Sequence, residues 1–263
     1  MLPHDVQGSG PAVVLLHAGI ADRRMWAGMV PELVDHGYRV VALDLPGFGD
    51  DALPPSGPQA PWNDVLATLD TLQIDTAALI GCSYGGAVAL RVAALHRGRF
   101  WGLVLSAAPA PGLEPSRELA NRWAAEERAL DAGDFDGATG AVVDAWTLPS
   151  APESVRQLVG AAQRRAYELQ HAATDVTDVA DPLNDDADRL TGIEVPTLVI
   201  EGDLDLVDFR EGGKLLARLL PDASLHTITG AGHLAPLEQP AAFSAGVLPF
   251  LAAHRPGEGR PVG

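Results

Sequence analysis

Cysteine is almost missing from this chain: Cys82 is the single one in 263 residues. An intramolecular disulfide is therefore impossible, and so is a zinc site built on cysteines. Basic residues are scarce as well, 18 Lys and Arg against 35 Asp and Glu, for a formal net charge of -17. Such a surface repels nucleic acid phosphates and anionic lipid, so neither is an expected partner. The charge itself reads as a solubility device and says nothing of the substrate. No His-x-His or His-Glu-x-x-His pattern occurs among the eight histidines, and no metal site is expected. No apolar run approaches the ~20 residues that span a bilayer. The start, Met1-Leu2-Pro3-His4-Asp5, lacks the basic opening of a signal peptide. The expectation is a soluble, cytoplasmic protein with no membrane partner, a monomer or a homodimer.

What the chain does have is a regular alternation. Short apolar runs at Ala12–Leu16, Arg39–Leu43, Ala77–Ile80, Leu103–Leu105 and Thr197–Ile200 suggest strands buried on both faces, with Ser224–Ile228 as a weaker sixth. Helical stretches separate them at Met25–His36, Pro61–Leu72, Gly86–His96 and Phe209–Leu219. Strand, helix, strand in turn predicts an α/β fold whose mostly parallel sheet has helices on both faces. From about Pro111 to Val195 the alternation stops. Three helical candidates lie there, Glu118–Leu130, Phe135–Trp146 and Val155–Leu169, and no strand is evident. The block reads as a helical insertion, and the Pro-, Gly- and Arg-rich end of the chain as disordered.

The most chemical stretch is Gly81-Cys82-Ser83-Tyr84-Gly85, a Gly-x-Ser-x-Gly pattern between the strand Ala77–Ile80 and the helix from Gly86. In that context the glycines permit a sharp turn, and the serine stands at its tip in a strained conformation. A serine hydroxyl is a weak nucleophile without a base, and the base needs an acid to orient it. Two downstream loops supply candidates: Gly202-Asp203-Leu204-Asp205 and Gly230-Ala231-Gly232-His233. Asp203 and Asp205 compete for the acid role, with Asp208 a distant third. Gly47-Phe48-Gly49 followed by Ala52 matches a dinucleotide fingerprint, but Pro54 to Pro58 forbid the helix that such a site needs nearby, so no nucleotide cofactor is expected.

Four stretches in order, Leu15-Leu16-His17-Ala18-Gly19, Asp44-Leu45-Pro46-Gly47-Phe48-Gly49, the serine turn, and the Asp205 and His233 loops running on to Glu238-Gln239-Pro240, resemble the α/β-hydrolase superfamily. The likeness is to its serine-nucleophile branch with a helical cap, in the manner of enol-lactonases, carbon–carbon hydrolases and esterases. It implies an α/β-hydrolase core at 1–110 and 196–255, a helical cap at 111–195 inserted after the sixth family strand, and a tail at 256–263. The first family strand is expected to be missing, since Leu2–Val6 leaves room for one short strand. Ser83 would be the nucleophile, His233 the base and then the acid, and Asp205 its orienting carboxylate. The backbone N–H groups of Gly19 and Tyr84 would form the oxyanion hole. Ala18 departs from the glycine usual there. Trp26, Met25, Trp123, Phe135 and Trp146 are candidates for the pocket between core and cap. The implied reaction is cofactor-free cleavage of a carboxylic ester or lactone of a small, largely apolar substrate. The same residues could serve carbon–carbon hydrolysis, perhydrolysis or a cyclase-like biosynthetic step. A non-catalytic binding protein on this fold is the reading from a different class.

Overall fold

The structure is a computed structural model that describes residues 1–49, 55–184 and 186–257. The Asp50–Ala52 part of the fingerprint and residues 258–263 of the expected tail lie outside the described residues.

The apolar runs form the sheet. Strands β1 (His4–Gln7), β2 (Ala12–Leu16) and β3 (Arg39–Leu43) open the chain. After the short β4 (Ser56–Gln59) come β5 (Ala77–Cys82) and β6 (Phe100–Ser106). Beyond the further short strand β7 (Thr174–Asp178) follow β8 (Thr197–Gly202) and β9 (Ala223–Ile228). Seven of these make one sheet in the order β1-β3-β2-β5-β6-β8-β9. All neighbours are parallel except β1, which runs antiparallel to β3 at the edge. One short strand thus precedes β2 among the described residues, as the N-terminal segment predicts. Every residue of β2, β5 and β8 is buried. That follows from helices covering both faces, and each fully buried Val, Leu or Ile contributes roughly 1.5–3 kcal/mol.

One face packs under α2 (Pro61–Thr71) and α3 (Tyr84–Leu95), the other under α1 (Met29–Asp35) and α9 (Pro240–His254). Met25–His36, expected as one helix, is two elements: a 3-10 turn at Arg23–Trp26, capped by the Asp22 side chain, and α1. Pro31 explains the break. It has no N–H to give the carbonyl of Ala27, but it is tolerated in the first turn of a helix that starts afresh at Met29.

Between β6 and β8 lie α4 (Arg117–Asp131), α5 (Phe135–Trp146) and α6 (Glu153–His171), close to the expected positions. The expectation of no strand in this block is corrected by β7, which pairs in parallel with β4 as a separate two-stranded sheet. The sequences Ser-Gly-Pro-Gln and Thr-Asp-Val-Thr-Asp carry no apolar alternation, because little of either strand is buried. A third apolar cluster joins these helices to α7 (Val207–Leu219) through Leu119, Val142, Trp146, Leu206 and Phe209. The short helix α8 (Ala235–Glu238) precedes α9.

The register aligns the carboxyl ends of the parallel strands: Leu16 sits beside Leu43 and Gly81, and Cys82 beside Ser106. The loops that leave these ends meet at one edge of the sheet, where open α/β sheets present their ligand sites.

Candidate active site

Ser83 lies at the tip of the turn from β5 to α3, with φ 49° and ψ -115°. A non-glycine residue in that region costs about 1–3 kcal/mol and persists only where its surroundings enforce it. Here the Ser83 N–H is tied to the carbonyl of Ser106 at 2.8 Å, and its carbonyl accepts from Ala87 at 3.0 Å. The flanking glycines are steric necessities. A Cβ on Gly81 would stand 2.4 Å from the carbonyl oxygen of Gly85, and one on Gly85 would stand 2.2 Å from that of Leu16.

The structure brings Ser83, His233 and Asp205 together. His233 Nε2 is 2.8 Å from Ser83 Oγ, and its Nδ1 is 3.1 and 3.2 Å from the two carboxylate oxygens of Asp205. The carboxylate only accepts, so the imidazole proton sits on Nδ1, leaving Nε2 free to receive the serine proton. Asp205 also accepts from the N–H of Leu206 at 2.7 Å. The rival Asp203 is occupied elsewhere: it accepts from the N–H of Gly230 at 2.7 Å and closes the loop ahead of His233. Asp208 accepts from both the N–H and the hydroxyl of Ser116, the N-cap of α4. Burial pushes its carboxyl up, but those two bonds outweigh it and hold the group below its ordinary value.

The imidazole of His233 is enclosed by aromatic rings, with Phe209 of α7 at 4.3 Å and Trp146 of α5 at 4.7 Å between centroids. Behind it Glu238 accepts from the N–H of Gly232 at 2.7 Å and from that of Leu148 at 2.9 Å. One carboxylate therefore ties the His233 loop to the end of α5.

Gly19 and Tyr84 lie side by side next to Ser83: a Cβ on Gly19 would meet Tyr84 Cβ at 3.3 Å. Both line the same cavity as Ser83. Ala18 is buried, and its N–H points to the sulfur of Met25 at 3.3 Å. His17 stands behind this loop. Its Nε2 accepts from the N–H of Leu45 at 2.9 Å, so its Nδ1 carries the proton and donates to the carbonyl of Ala18 at 2.8 Å. Burial drives its pKa down to about 4. Cys82 points into the packed core, where burial pushes its thiol well above the usual range. The Tyr84 hydroxyl is raised by burial to about 12.

Ser83 and His233 open on a cavity of about 570 Å³ between the sheet edge and helices α4 to α6. Trp123 and Trp146 line it. The three other expected pocket residues do not. Trp26 is fully buried on the α1 and α9 side of the sheet, facing Phe243 at 6.2 Å. Phe135 packs on Tyr167 and His171 on the far side of its helix pair, with Arg164 over its ring. Met25 is likewise buried, its sulfur turned to Ala18. Phe209, Phe48, Ile20 and Gln163 line the cavity without having been singled out as pocket residues. A signal existed for one of them. Gln163 falls among Val155, Val159, Ala162, Ala166 and Leu169, a polar residue inside the apolar stripe of α6. Among the described residues no cluster of three or more His, Cys, Asp or Glu is placed to hold a metal ion. No helix of those residues is long and apolar enough to cross a membrane.

A strand–turn–helix serine within reach of a carboxylate-oriented histidine, at the carboxyl edge of a parallel sheet, defines the α/β-hydrolase arrangement. The chain belongs to the alpha/beta hydrolase fold family, whose profile matches residues 11–240. It is 29% identical to the 2-hydroxy-6-oxo-2,4-heptadienoate hydrolase of Pseudomonas putida, over 95% of this chain and 92% of that one. It is 30% identical to the pimeloyl-[acyl-carrier protein] methyl ester esterase of Aeromonas hydrophila, over 90% of this chain and 93% of that one. Among solved structures, the enol-lactonase of Burkholderia xenovorans superposes with a TM-score of 0.78 at 27% identity, covering 95% of this chain and 96% of that one. The protein is a hydrolase of this family.

Proposed function

We propose that the protein is a serine hydrolase that cleaves a carboxylic ester or lactone of a small, largely apolar substrate through an acyl-enzyme. The observation that carries this reading is the 2.8 Å contact between His233 Nε2 and Ser83 Oγ, with His233 Nδ1 held by Asp205. His233 takes the serine proton as Oγ attacks the carbonyl carbon, and Asp205 stabilises the imidazolium that forms. The oxyanion is received by the N–H groups of Tyr84 and Gly19, each such donor contributing about 3 kcal/mol to transition-state stabilisation. His233 then protonates the leaving oxygen. Water, deprotonated by the same imidazole, attacks the acyl-enzyme and releases the acid. No step calls for a cofactor. Helices α4 to α6 act as the cap, and the rings of Trp146 and Phe209 shield the imidazole and lend the cavity its apolar character.

The likeness to a dienoate hydrolase raises carbon–carbon cleavage as a second reading. A dienoate is an anion, and among the described residues that line the cavity no lysine or arginine is there to receive it. The ester or lactone reading is the better fit. Replacing Ser83 by Ala is expected to abolish turnover of p-nitrophenyl esters and labelling by a fluorophosphonate probe. Retention of either by Ser83→Ala would overturn the assignment.

A further inference from the structure

The helices above the sheet bring one carboxylate into the serine's cavity. Glu126 of α4 lines it together with Ser83 and His233. One of its oxygens is committed: Oε1 accepts from the hydroxyl of Tyr167 on α6 at 2.6 Å. That bond holds the carboxylate between the two helices. Oε2 receives no hydrogen bond from the described residues, and it is not among the unpartnered polar atoms that are sealed from solvent. A half-buried carboxylate thus keeps one oxygen open in a residue that borders the cavity.

No basic side chain answers that charge. Among the described residues that line the cavity there is no lysine or arginine, and His233 is held by Asp205. Arg122, one turn earlier on α4, is engaged by Glu118 and by the carbonyl of Ala145, and it lines a different cavity. Arg164 and Arg165 of α6 pair with Asp136 and Glu168. A partly desolvated carboxylate without a counter-charge is unfavourable, and a cation brought by a ligand relieves the penalty.

The rings beside it favour the same ligand. Trp123 stands three residues before Glu126, on the same face of α4, and lines the cavity while 48% exposed. The face of an uncovered indole attracts a cation. Phe48, Tyr84, Trp146 and Phe209 add further rings to the lining. A methylated ammonium suits both features, its charge meeting the carboxylate and its methyl groups the ring faces. A substrate carboxylate would meet a like charge instead.

We infer that the substrate carries a cationic nitrogen, a protonated amine or a quaternary ammonium, which Glu126 receives together with Trp123. The inference rests on the serine-hydrolase reading and names the substrate class for that site. Glu126 is here a specificity-determining residue that takes no part in breaking the bond.

The test compares esters that differ in charge and little in shape, with a terminal trimethylammonium against a terminal tert-butyl group. In one series the group ends the acyl chain of p-nitrophenyl esters of increasing length. In the other it ends the alcohol, as choline esters against their tert-butyl isosteres. In at least one series kcat/KM for the cation is expected to exceed that for its neutral isostere about tenfold. Glu126→Gln removes the charge but keeps an oxygen for Tyr167, and should bring the ratio to about one. Trp123→Leu leaves the carboxylate and removes the indole, and should lower the ratio about threefold. Fluorophosphonate labelling of Ser83 checks that the variants are folded. A wild-type ratio of one or less in every pair would overturn the inference, as would a ratio that survives in both variants. Rates that fall equally for cation and isostere in Glu126→Gln would also overturn it, since Glu126 would then serve only to hold the helices. If no ester is turned over and Ser83 is not labelled, the hydrolase reading falls and takes the inference with it. Turnover of the neutral esters without a preference for the cation sinks the inference alone.

Discussion

Asp203 and Asp205 are separated by one residue and do different things. Asp205 lies 3.1 Å from His233 Nδ1, whereas Asp203 accepts from the backbone of Gly230. Conversion to Asn separates them cleanly. Asn at 205 offers an amide NH2 or an uncharged oxygen to the imidazole, so it loses both the tautomer control and the stabilisation of the imidazolium; kcat is expected to fall about 10,000-fold. Asn at 203 keeps an oxygen acceptor for Gly230, and kcat should stay within about threefold of wild type. Steady-state kinetics on one chromogenic ester decides between them, and the reverse ranking would reassign the acid. At this scale the sequence is legible where a residue stands in a motif with fixed context, as Ser83 does in its strand–turn–helix. It is less so where two like residues share a loop, because the choice between Asp203 and Asp205 is made by backbone curvature. Phe209 and Gln163 are harder still. Each is brought to the cavity by the packing of one helix on another, and nothing in a single segment states which neighbour its side chain will meet.

The elements that form the sheet were readable because their physics is local. A strand buried on both faces is apolar through its centre: β2 and β5 carry no charged side chain, and in β8 the run Leu198–Ile200 lies between Thr197 and Glu201. The β4–β7 pair was not readable, since two short polar strands are held by each other's backbone rather than by burial. Helix α9 leaves no periodic trace, for the opposite reason. Apolar residues lie on most of its sides, so no 3.6-residue stripe stands out. Between elements, the tie that matters most for the site is Glu238. Its two carboxylate oxygens hold the N–H groups of Gly232 and Leu148, fixing the His233 loop against the end of the helix that delivers Trp146. Glu238→Gln replaces one of these acceptors by an NH2 that faces an N–H. The expected cost is about 1–3 kcal/mol of unfolding free energy, the penalty for a part-buried donor left unpaired. Urea titration of the two proteins at neutral pH measures it, and a difference below about 0.5 kcal/mol would show that the two segments are held by packing alone.

For the molecule as a whole, acid stability depends on a histidine outside the reaction. His17 ends β2, and its imidazole joins the loop after β2, through Ala18, to the loop after β3, through Leu45. Both bonds need the neutral ring: protonation would put a second donor opposite the N–H of Leu45. In the fold burial therefore lowers its pKa from 6.5 to about 4. The unfolded chain takes up a proton below 6.5 while the folded chain resists it down to about 4. The stabilisation is thus complete above pH 6.5 and is lost as the pH falls towards 4, by about 3 kcal/mol across that interval. Neighbouring carboxylates act differently. Asp22 is held below its ordinary value by Arg24 and titrates beneath this window. Asp44, raised by burial despite Arg23, changes stability in the opposite direction above its ordinary value. His17→Gln, whose amide can replace the acceptor and the donor but cannot take a proton, removes the His17 contribution and leaves those of Asp22 and Asp44. Unfolding free energies by urea at several pH values between 7 and 4.5 should fall more steeply for the wild type than for His17→Gln, so that the two curves converge as the pH drops. Parallel curves would show that the ring is protonated in the fold at the same pH as in the unfolded chain, and that the link between the two loops does not depend on its neutral form.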